Sequence, residues 1–439
     1  MKPTWVYPLA FAGLLAAGVL FCIPIEGGFD LAAIVIPSIV IICIALIAVI
    51  ARNNPFLFMV MIVASVAKLL AAWIYTALPA FQLSDVKGLY FDSARQLAGS
   101  VTYLTDVFSL HQLWGTNLII EIGACLFAVI GPSLAAAMVL FAIASFWGQF
   151  LFYRAFVVAF PGANRNIAAL FFFLFPSLVY WTATFGKDAV MMLALGLISY
   201  GIARRFDTKG WAAILIGLPL ATLVRPHIGA FVVISLVASY LLGDIKSSRK
   251  MVGLKFLLFP LFLAISVGVV TYARNSLELG SVEDAQAMSD YSYKYNQVGG
   301  SAFGDESSTQ IGRLAQAPFL MFRPFPWETN NGPALIASCE GVVLLFLVVL
   351  RRDSLFRVVL NARDTPLIIF SICFFLIFSI VFSVSLSNFG LLARQRVMVL
   401  PLVLTLLLAS KSSVVARRKI RLKDAALHEN LPCPTPYCS

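Results

Sequence analysis

Charged residues are scarce in this chain. Asp, Glu, Lys and Arg make up only 12% of its 439 residues, against 60% hydrophobic residues, and the mean hydropathy is +0.91. A soluble core of this length does not need so much apolar surface. The composition therefore excludes an ordinary water-soluble domain and predicts an all-α, polytopic membrane helical bundle.

Metal-binding and nucleotide-binding motifs are missing as well. The chain has only three His, and its seven Cys lie scattered, mostly inside apolar runs, without the spacing of zinc ligands or of a disulfide framework. There is no P-loop, and no Gly-x-Gly-x-x-Gly follows a strand. These absences argue against an enzyme that takes a sugar from a soluble, cytosolic sugar nucleotide. No cofactor is predicted; a divalent metal stays open, without a residue pattern to support it.

What the chain does have is a series of long apolar runs, which predict about 12 transmembrane helices. With both termini in the cytoplasm, most of the 32 Lys and Arg fall in cytoplasmic segments, as the positive-inside rule requires. The net charge of +11 is then explained by membrane anchoring, and no nucleic-acid partner is predicted. The predicted spans are 5–24, 31–50, 55–78, 133–157, 164–184, 188–204, 209–225, 227–243, 254–273, 334–350, 366–386 and 396–410.

These spans divide the chain into four parts. Two N-terminal helices occupy 1–54, a core with a first outer loop at 79–132 occupies 55–243, and the C-terminal helices with a second outer loop at 274–333 occupy 244–411. A basic tail at 412–439 is predicted to be cytoplasmic and disordered. The segment 116–131 is short for a crossing and carries Glu121, so we expect an interfacial or re-entrant helix there.

A polar stretch at 81–100 is the centre of the predicted organisation. It follows the third predicted span and contains Asp85, Tyr90 and Asp92. Carboxylates just beyond the mouth of a membrane helix favour chemistry or ion handling, although a solvated loop is the plain alternative. Asp92 begins an amphipathic segment where an Asp serves as a helix N-cap, and no structural role as simple exists for Asp85, which is therefore the stronger candidate for chemistry. Asp92 is predicted to be a substrate contact.

Cations gather at the outer ends of the predicted spans. Arg225, Arg394 and Arg396 are predicted to bind a phosphate or pyrophosphate head, with Lys187 and Arg323 assisting. In the alternative interpretation, the Lys187–Asp188 pair only anchors its helix, and the Arg residues pair with carboxylates to brace the outer face. The full set of predicted substrate contacts is Tyr90, Asp92, Lys187, Asp188, Arg225, His227, Arg323, Glu328, Arg394 and Arg396.

Carboxylates that face a ring of cations suit sugar transfer from a lipid phosphate. The cations hold the phosphate, which is also the leaving group, and so stabilise charge as the bond breaks. A carboxylate takes the proton of the incoming hydroxyl, and displacement at the sugar carbon passes through an oxocarbenium-like state.

The motifs also resemble those of a known family. Asp85, Tyr90 and the run Ala94-x-x-Leu97-Ala98-Gly99 come first, followed by an apolar helix ending in Gly131, then Tyr153-Arg154, Pro176-Ser177 and Lys187-Asp188. Over roughly residues 55–230 this order resembles the GT-C superfamily of membrane glycosyltransferases. Two features depart from that family: Val86 stands where an adjacent second acidic residue is common, and two extra spans precede the core.

The resemblance implies a definite setting. The donor would be a polyprenyl-phosphate-linked sugar, the acceptor a glycan or a lipid-linked molecule, and Asp85 the catalytic base. The enzyme would lie among the lipids of the bacterial cytoplasmic (inner) membrane and act on its outer face in cell-envelope or exopolysaccharide synthesis.

Two other functions stay open. The pieces FRPFPWE at 322–328 and NFGLLARQR at 388–396 resemble predicted membrane proteins of bacterial exopolysaccharide clusters, for which a repeat-unit polymerase activity is proposed. A lipid-linked glycan transporter or flippase would need ionisable residues near mid-membrane in paired positions. Only Lys68 and Glu340 meet that requirement, and no internal repeat accompanies them.

Overall fold

The structure is a computed structural model, and the residues it describes are 32–77, 85–100, 114–244, 268, 271, 282–295, 302–303, 309–329 and 332–409. The predicted span 5–24, nearly all of 254–273 and the predicted tail 412–439 lie outside the described residues, as do parts of both predicted outer loops. Within the described ranges the regular structure is helical, apart from one isolated β-bridge between Ala302 and Asn388.

The first half of the chain contains α1 (Ala32–Ile50), α2 (Pro55–Ala77), a π-helical segment (Asp85–Phe91) that continues into α3 (Asp92–Ser100), α4 (Gly115–Ile130), α5 (Leu134–Ala159), α6 (Arg165–Leu174), α7 (Pro176–Tyr180), α8 (Lys187–Ala203), α9 (Thr208–Val224) and α10 (Pro226–Leu242). The second half contains α11 (Val282–Tyr295), α12 (Gln310–Leu314), α13 (Gly332–Leu360), α14 (Pro366–Ser385), α15 (Phe389–Arg396) and α16 (Leu400–Leu408). Short 3₁₀ turns at Ala317–Phe319, Pro326–Glu328 and Ala362–Asp364 connect some of these helices.

Several of these helices have the length and composition of membrane spans. Four of the described helices qualify, at Pro55–Thr76, Leu134–Ala159, Ala334–Leu360 and Pro366–Ser385, and α15 and α16 qualify only as one pair bent by 60°. The all-α prediction is therefore confirmed, and so is the presence of helices that can cross a membrane. The count of about 12 crossings stays a prediction.

Some predicted spans are broken or differ in length. The predicted span 164–184 is interrupted at Phe175, because Pro176 has no N–H to continue the helix, and residues 181–186 are non-helical. The predicted span 334–350 belongs to a longer helix that runs to Leu360. These breaks matter for the site, since α8 begins directly after the non-helical segment.

Helix α8 packs closely against two neighbours through glycines. A Cβ added to Gly196 would lie 2.5 Å from the carbonyl oxygen of Gly148 on α5, and one added to Gly201 would lie 2.5 Å from the carbonyl oxygen of Gly210 on α9. Small residues at such contacts let helix backbones approach one another within a membrane. The three helices therefore fix the position of Lys187 and Asp188, the first two residues of α8.

Phenylalanine rings fill the contact between α10 and α14. Phe370, Phe374 and Phe378 follow one another along α14 and are fully buried. Phe231 of α10 lies against Phe374 and Phe382, with ring centroids 6.3 Å apart in both pairs. This contact joins the C-terminal helices to the helix that follows Arg225.

The close contact of α5 and α8 leads to a stability prediction. We expect Gly196→Ala to destabilise the fold by about 1–3 kcal/mol, because its methyl group meets backbone that must shift. Gly99→Ala on α3 is the matched control, because nothing lies within 4 Å of its added Cβ. Since Ala has a higher helix propensity than Gly, this substitution should leave the stability unchanged or increase it. Thermal unfolding of the detergent-purified variants measures both. A Gly196→Ala variant as stable as Gly99→Ala would contradict the close packing.

Candidate functional site

A buried carboxylate at the start of α8 accepts hydrogen bonds from two arginines. Asp188 is 1% exposed; its Oδ1 accepts from Nη2 of Arg225 at 2.5 Å, and its Oδ2 accepts from Nε of Arg394. Arg225 lies at the break between α9 and α10, and Arg394 lies on α15. We call Asp188, Arg225, Arg394, Asp85 and Lys187 the Asp188 cluster.

Asp85 is the accessible carboxylate of this cluster. Its Oδ2 lies 3.3 Å from Nη1 of Arg394, and its side chain is 66% exposed. Arg394 therefore bridges an exposed carboxylate and a buried one. Because the buried Asp188 holds the guanidinium group of Arg394 in place, Arg394 in turn sets the position of Asp85 relative to α8.

Arg225 is held by the protein on several sides. It is buried, and its Nη1 donates to Oε1 of Gln395 and lies 3.8 Å from the sulfur of Met398. Removing one member of such a buried ion pair typically costs about 3–5 kcal/mol, because the other charge is left uncompensated. Arg225 and Asp188 thus form the buried, fixed part of the cluster.

Lys187 is the cation of the cluster that forms none of the ion pairs found among the described residues. It is half-buried, and its Nζ lies beside Gly115 at the start of α4. Burial, together with the positive charges of Arg225 and Arg394, lowers the pKa of Lys187 to about 8. An anion bound here would reverse part of that shift, so Lys187 is suited to hold one.

Tyr90 packs beside the cluster rather than in water. It is 3% exposed, its ring centroid lies 6.0 Å from that of Phe185, and burial raises the pKa of its hydroxyl. A Cβ added to Gly186 would lie 3.6 Å from the Tyr90 ring and 3.9 Å from Nη2 of Arg394. Tyr90 and Arg394 therefore both lie next to the chain just before α8.

Asp92 has a different setting from the one expected. It is exposed and continues a helical segment that begins at Asp85, so it is not at the start of that segment as an N-cap would be. The acidic residue in the first turn of the segment is Asp85. The N-cap role expected for Asp92 therefore does not fit its position, and Asp85 is the residue placed to interact with the N-terminal dipole of the segment.

Arg396 belongs to a second, separate cluster. It is fully buried; its Nη2 lies 2.8 Å from Oε2 of Glu340, and its Nη1 donates to the carbonyl oxygens of Met321 and Arg323 at 3.1 and 3.2 Å. Glu340 also accepts from the backbone N–H and the hydroxyl of Ser177. The structure therefore does not bring Arg396 to the anion site expected to include Arg225 and Arg394.

Arg323 and Glu328 pair with each other. Nε of Arg323 donates to Oε1 of Glu328 at 3.0 Å, Nη1 donates to Gln316 at 2.6 Å, and the guanidinium group lies 4.5 Å from the ring centroid of Phe303. These contacts shape the surface segment before α13. No described contact joins this pair to the Asp188 cluster.

His227 completes the predicted set. Its ring centroid lies 6.2 Å from those of Phe231 and Phe382, and the positive charges of Arg225 and Lys187 also act on it. Sequence reasoning missed Gln395 and Ser177. Gln395 gave no signal of its own, whereas Pro176 marked the helix break that frees the N–H of Ser177.

Lys187 leads to a pH prediction. Its charged form predominates below a pKa of about 8, so the affinity for inorganic pyrophosphate should fall by at least about tenfold as the pH rises well above this value. Lys187→Arg stays charged over this range and should lack the fall, which corrects for the titration of pyrophosphate itself. Isothermal titration at several pH values measures both proteins. Identical pH profiles would contradict the role of Lys187.

No family model, curated protein or solved structure matches this chain. The chemistry of the Asp188 cluster therefore follows from its own residues. Arginine and lysine side chains bind phosphate oxygens, and an exposed carboxylate beside them accepts a proton.

Proposed function

We propose that this chain is a membrane glycosyltransferase of the GT-C type, which transfers a sugar from a polyprenyl-(pyro)phosphate donor to a glycan or lipid-linked acceptor. One observation carries the proposal: an exposed carboxylate, Asp85, lies 3.3 Å from Arg394, in a cluster where Lys187 is available to an anion. The cluster combines residues from four distant parts of the chain, all of which the charge distribution assigns to the outer face.

In the proposed reaction, Lys187 and Arg394 bind the donor phosphate. Asp85 takes the proton from the acceptor hydroxyl while the oxygen of that hydroxyl bonds to the anomeric carbon of the sugar. The bond between that carbon and the phosphate oxygen breaks, and the phosphate leaves with the electron pair, stabilised by the same cations. Arg225 and Asp188 hold Arg394 in place and need not contact the substrate.

Asp85→Asn tests the assignment of the base. We expect this variant to fold and to bind donor, yet to lose about 10²–10⁴-fold in turnover, as is typical when a general base is removed. Asp92→Asn is the matched control, because it removes another exposed carboxylate from the same helical segment; as a predicted substrate contact and not the base, it should leave the enzyme partly active. Purified variants incubated with radiolabelled polyprenyl-phosphate sugars provide the measurement. Near-normal turnover by Asp85→Asn would remove the base assignment.

The proposal includes a membrane topology of about 12 crossings, with both termini in the cytoplasm of a bacterium and the Asp188 cluster outside. Helix ends that meet in one cluster must lie on the same side of a membrane. The start of α8, the end of α9 and the helical segment after α2 meet in this way, which supports the topology.

Cysteine labelling tests this topology. In a cysteine-free background, a cysteine at Ser133 should react with an impermeant thiol reagent added to intact cells, whereas one at Arg165 should react only after the membrane is opened. Ser133 precedes α5 and Arg165 begins α6, so the two sites report opposite ends of α5. Labelling of Arg165→Cys in intact cells would overturn the orientation of α5 to α8.

Two alternatives make different use of the same residues. A repeat-unit polymerase would share the chemistry but require a lipid-linked oligosaccharide, so the donor decides between them. A transporter is favoured by buried Lys68 and Glu340 beside the broken helix α6–α7, because discontinuous helices often form transport sites. A transporter would move lipid-linked glycan without forming a new glycosidic bond.

A further inference from the structure

Lys68 lies in the interior of α2. It is 1% exposed. Its Nζ lies 2.8 Å from Oγ of Ser145, 2.5 Å from Oγ1 of Thr182 and 3.2 Å from the carbonyl oxygen of Leu178. The amine thus joins α2 to α5 and to the chain that leaves α7.

The hydrogens of the two hydroxyl groups are already engaged. Ser145 donates to the carbonyl oxygen of Ala142 at 2.9 Å, and Thr182 donates to that of Leu178 at 2.5 Å. Because a carbonyl oxygen only accepts, each hydroxyl can only accept from Lys68. The amine therefore faces three acceptors, which matches the three donors of an ammonium group and not the two donors and one lone pair of a neutral amine.

No carboxylate forms an ion pair with Lys68 in the described part of the chain. Its charge is compensated by neutral oxygens instead, one of which is a backbone carbonyl near a helix end, where carbonyl groups lack helical partners. A cation held by hydroxyl and backbone oxygens at an interrupted membrane helix is also how proteins bind monovalent ions.

We propose that the ammonium group of Lys68 acts as a covalently attached monovalent cation. By binding its three oxygen acceptors it orders the non-helical segment 181–186 and thereby fixes the start of α8. This segment leads directly into Lys187 and Asp188. Further contacts of the segment are made by Phe185, whose backbone N–H donates to the sulfur of Met138 at 3.0 Å and whose ring packs against the rings of Tyr90, Phe127 and Phe141. The proposal does not depend on the glycosyltransferase function, since it concerns how the segment is held.

A crevice reaches Lys68 from the side. It lies between α1, α2 and α5, and its lining includes Cys43, Ile44, Ser65, Lys68, Ala142 and Phe146. If the lysine side chain is removed, we expect the space that it leaves to join this crevice and to let a small ammonium ion reach the same three oxygens. This access allows the charge to be replaced by one that is not tethered.

The experiment measures the exposure of the segment at Thr184, which is buried. In a cysteine-free background carrying Thr184→Cys, we expect Lys68→Ala to raise the rate of thiol labelling by at least about tenfold, since charged hydrogen bonds are lost. Methylammonium should restore slow labelling, whereas tetramethylammonium, which has no N–H donor, should not. Lys209→Ala, at an exposed lysine, should label as slowly as the parent protein.

Lys68→Met separates charge from packing, because it keeps most of the side-chain volume but leaves no room for an added ion. It should label fast with or without methylammonium. Slow labelling of Lys68→Met would overturn the proposal, and so would fast labelling of Lys68→Ala that methylammonium leaves unchanged. If Lys68→Ala does not fold in plain buffer, the yield of monodisperse protein purified in methylammonium, against tetramethylammonium, replaces the labelling rate with the same two outcomes.

Discussion

The buried carboxylate of Asp188 is the interaction on which the arrangement of the site depends. It binds two guanidinium groups that are far apart in sequence, Arg225 and Arg394, and so joins α8 to the α9–α10 turn and to α15. A buried anion with two cationic partners is stable only while both partners stay in place. The position of the exposed Asp85 depends on this buried ion-pair arrangement, because Asp85 contacts Arg394 on its solvent-facing side.

Much of the fold could be predicted from composition and hydropathy. Apolar runs indicated most of the helices, because hydropathy acts locally along the chain, although the span predicted at 164–184 is broken at Phe175. The partners of each arginine could not be predicted in the same way. Arg394 and Arg396 are two residues apart on one helix, which turns by about 100° per residue, so they face different neighbours: one binds Asp188, the other Glu340. Only the packing of distant helices decides which arginine meets which carboxylate.

The broken helix α6–α7 explains why two ionisable residues are buried in helices that are long and apolar enough to cross a membrane. Glu340 accepts hydrogen bonds from Ser177 at the start of α7, and Lys68 donates to Leu178 and Thr182 at its end. Buried non-helical backbone must find hydrogen-bond partners within the protein. The sequence showed both residues as unusual charges within apolar runs, but their common target, one short helix, became visible only in three dimensions.

The bridging position of Arg394 has a consequence for charge balance in the proposed transfer. With Lys187 protonated, the Asp188 cluster contains three cations and two carboxylates, so its net charge of about +1 matches a phosphodiester donor. When Asp85 takes the acceptor's proton, that net charge rises to about +2 at the moment when the departing phosphate becomes a monoester with a charge near −2. The proton transfer and the leaving group would thus remain electrically matched throughout the step, without any ion entering or leaving the site.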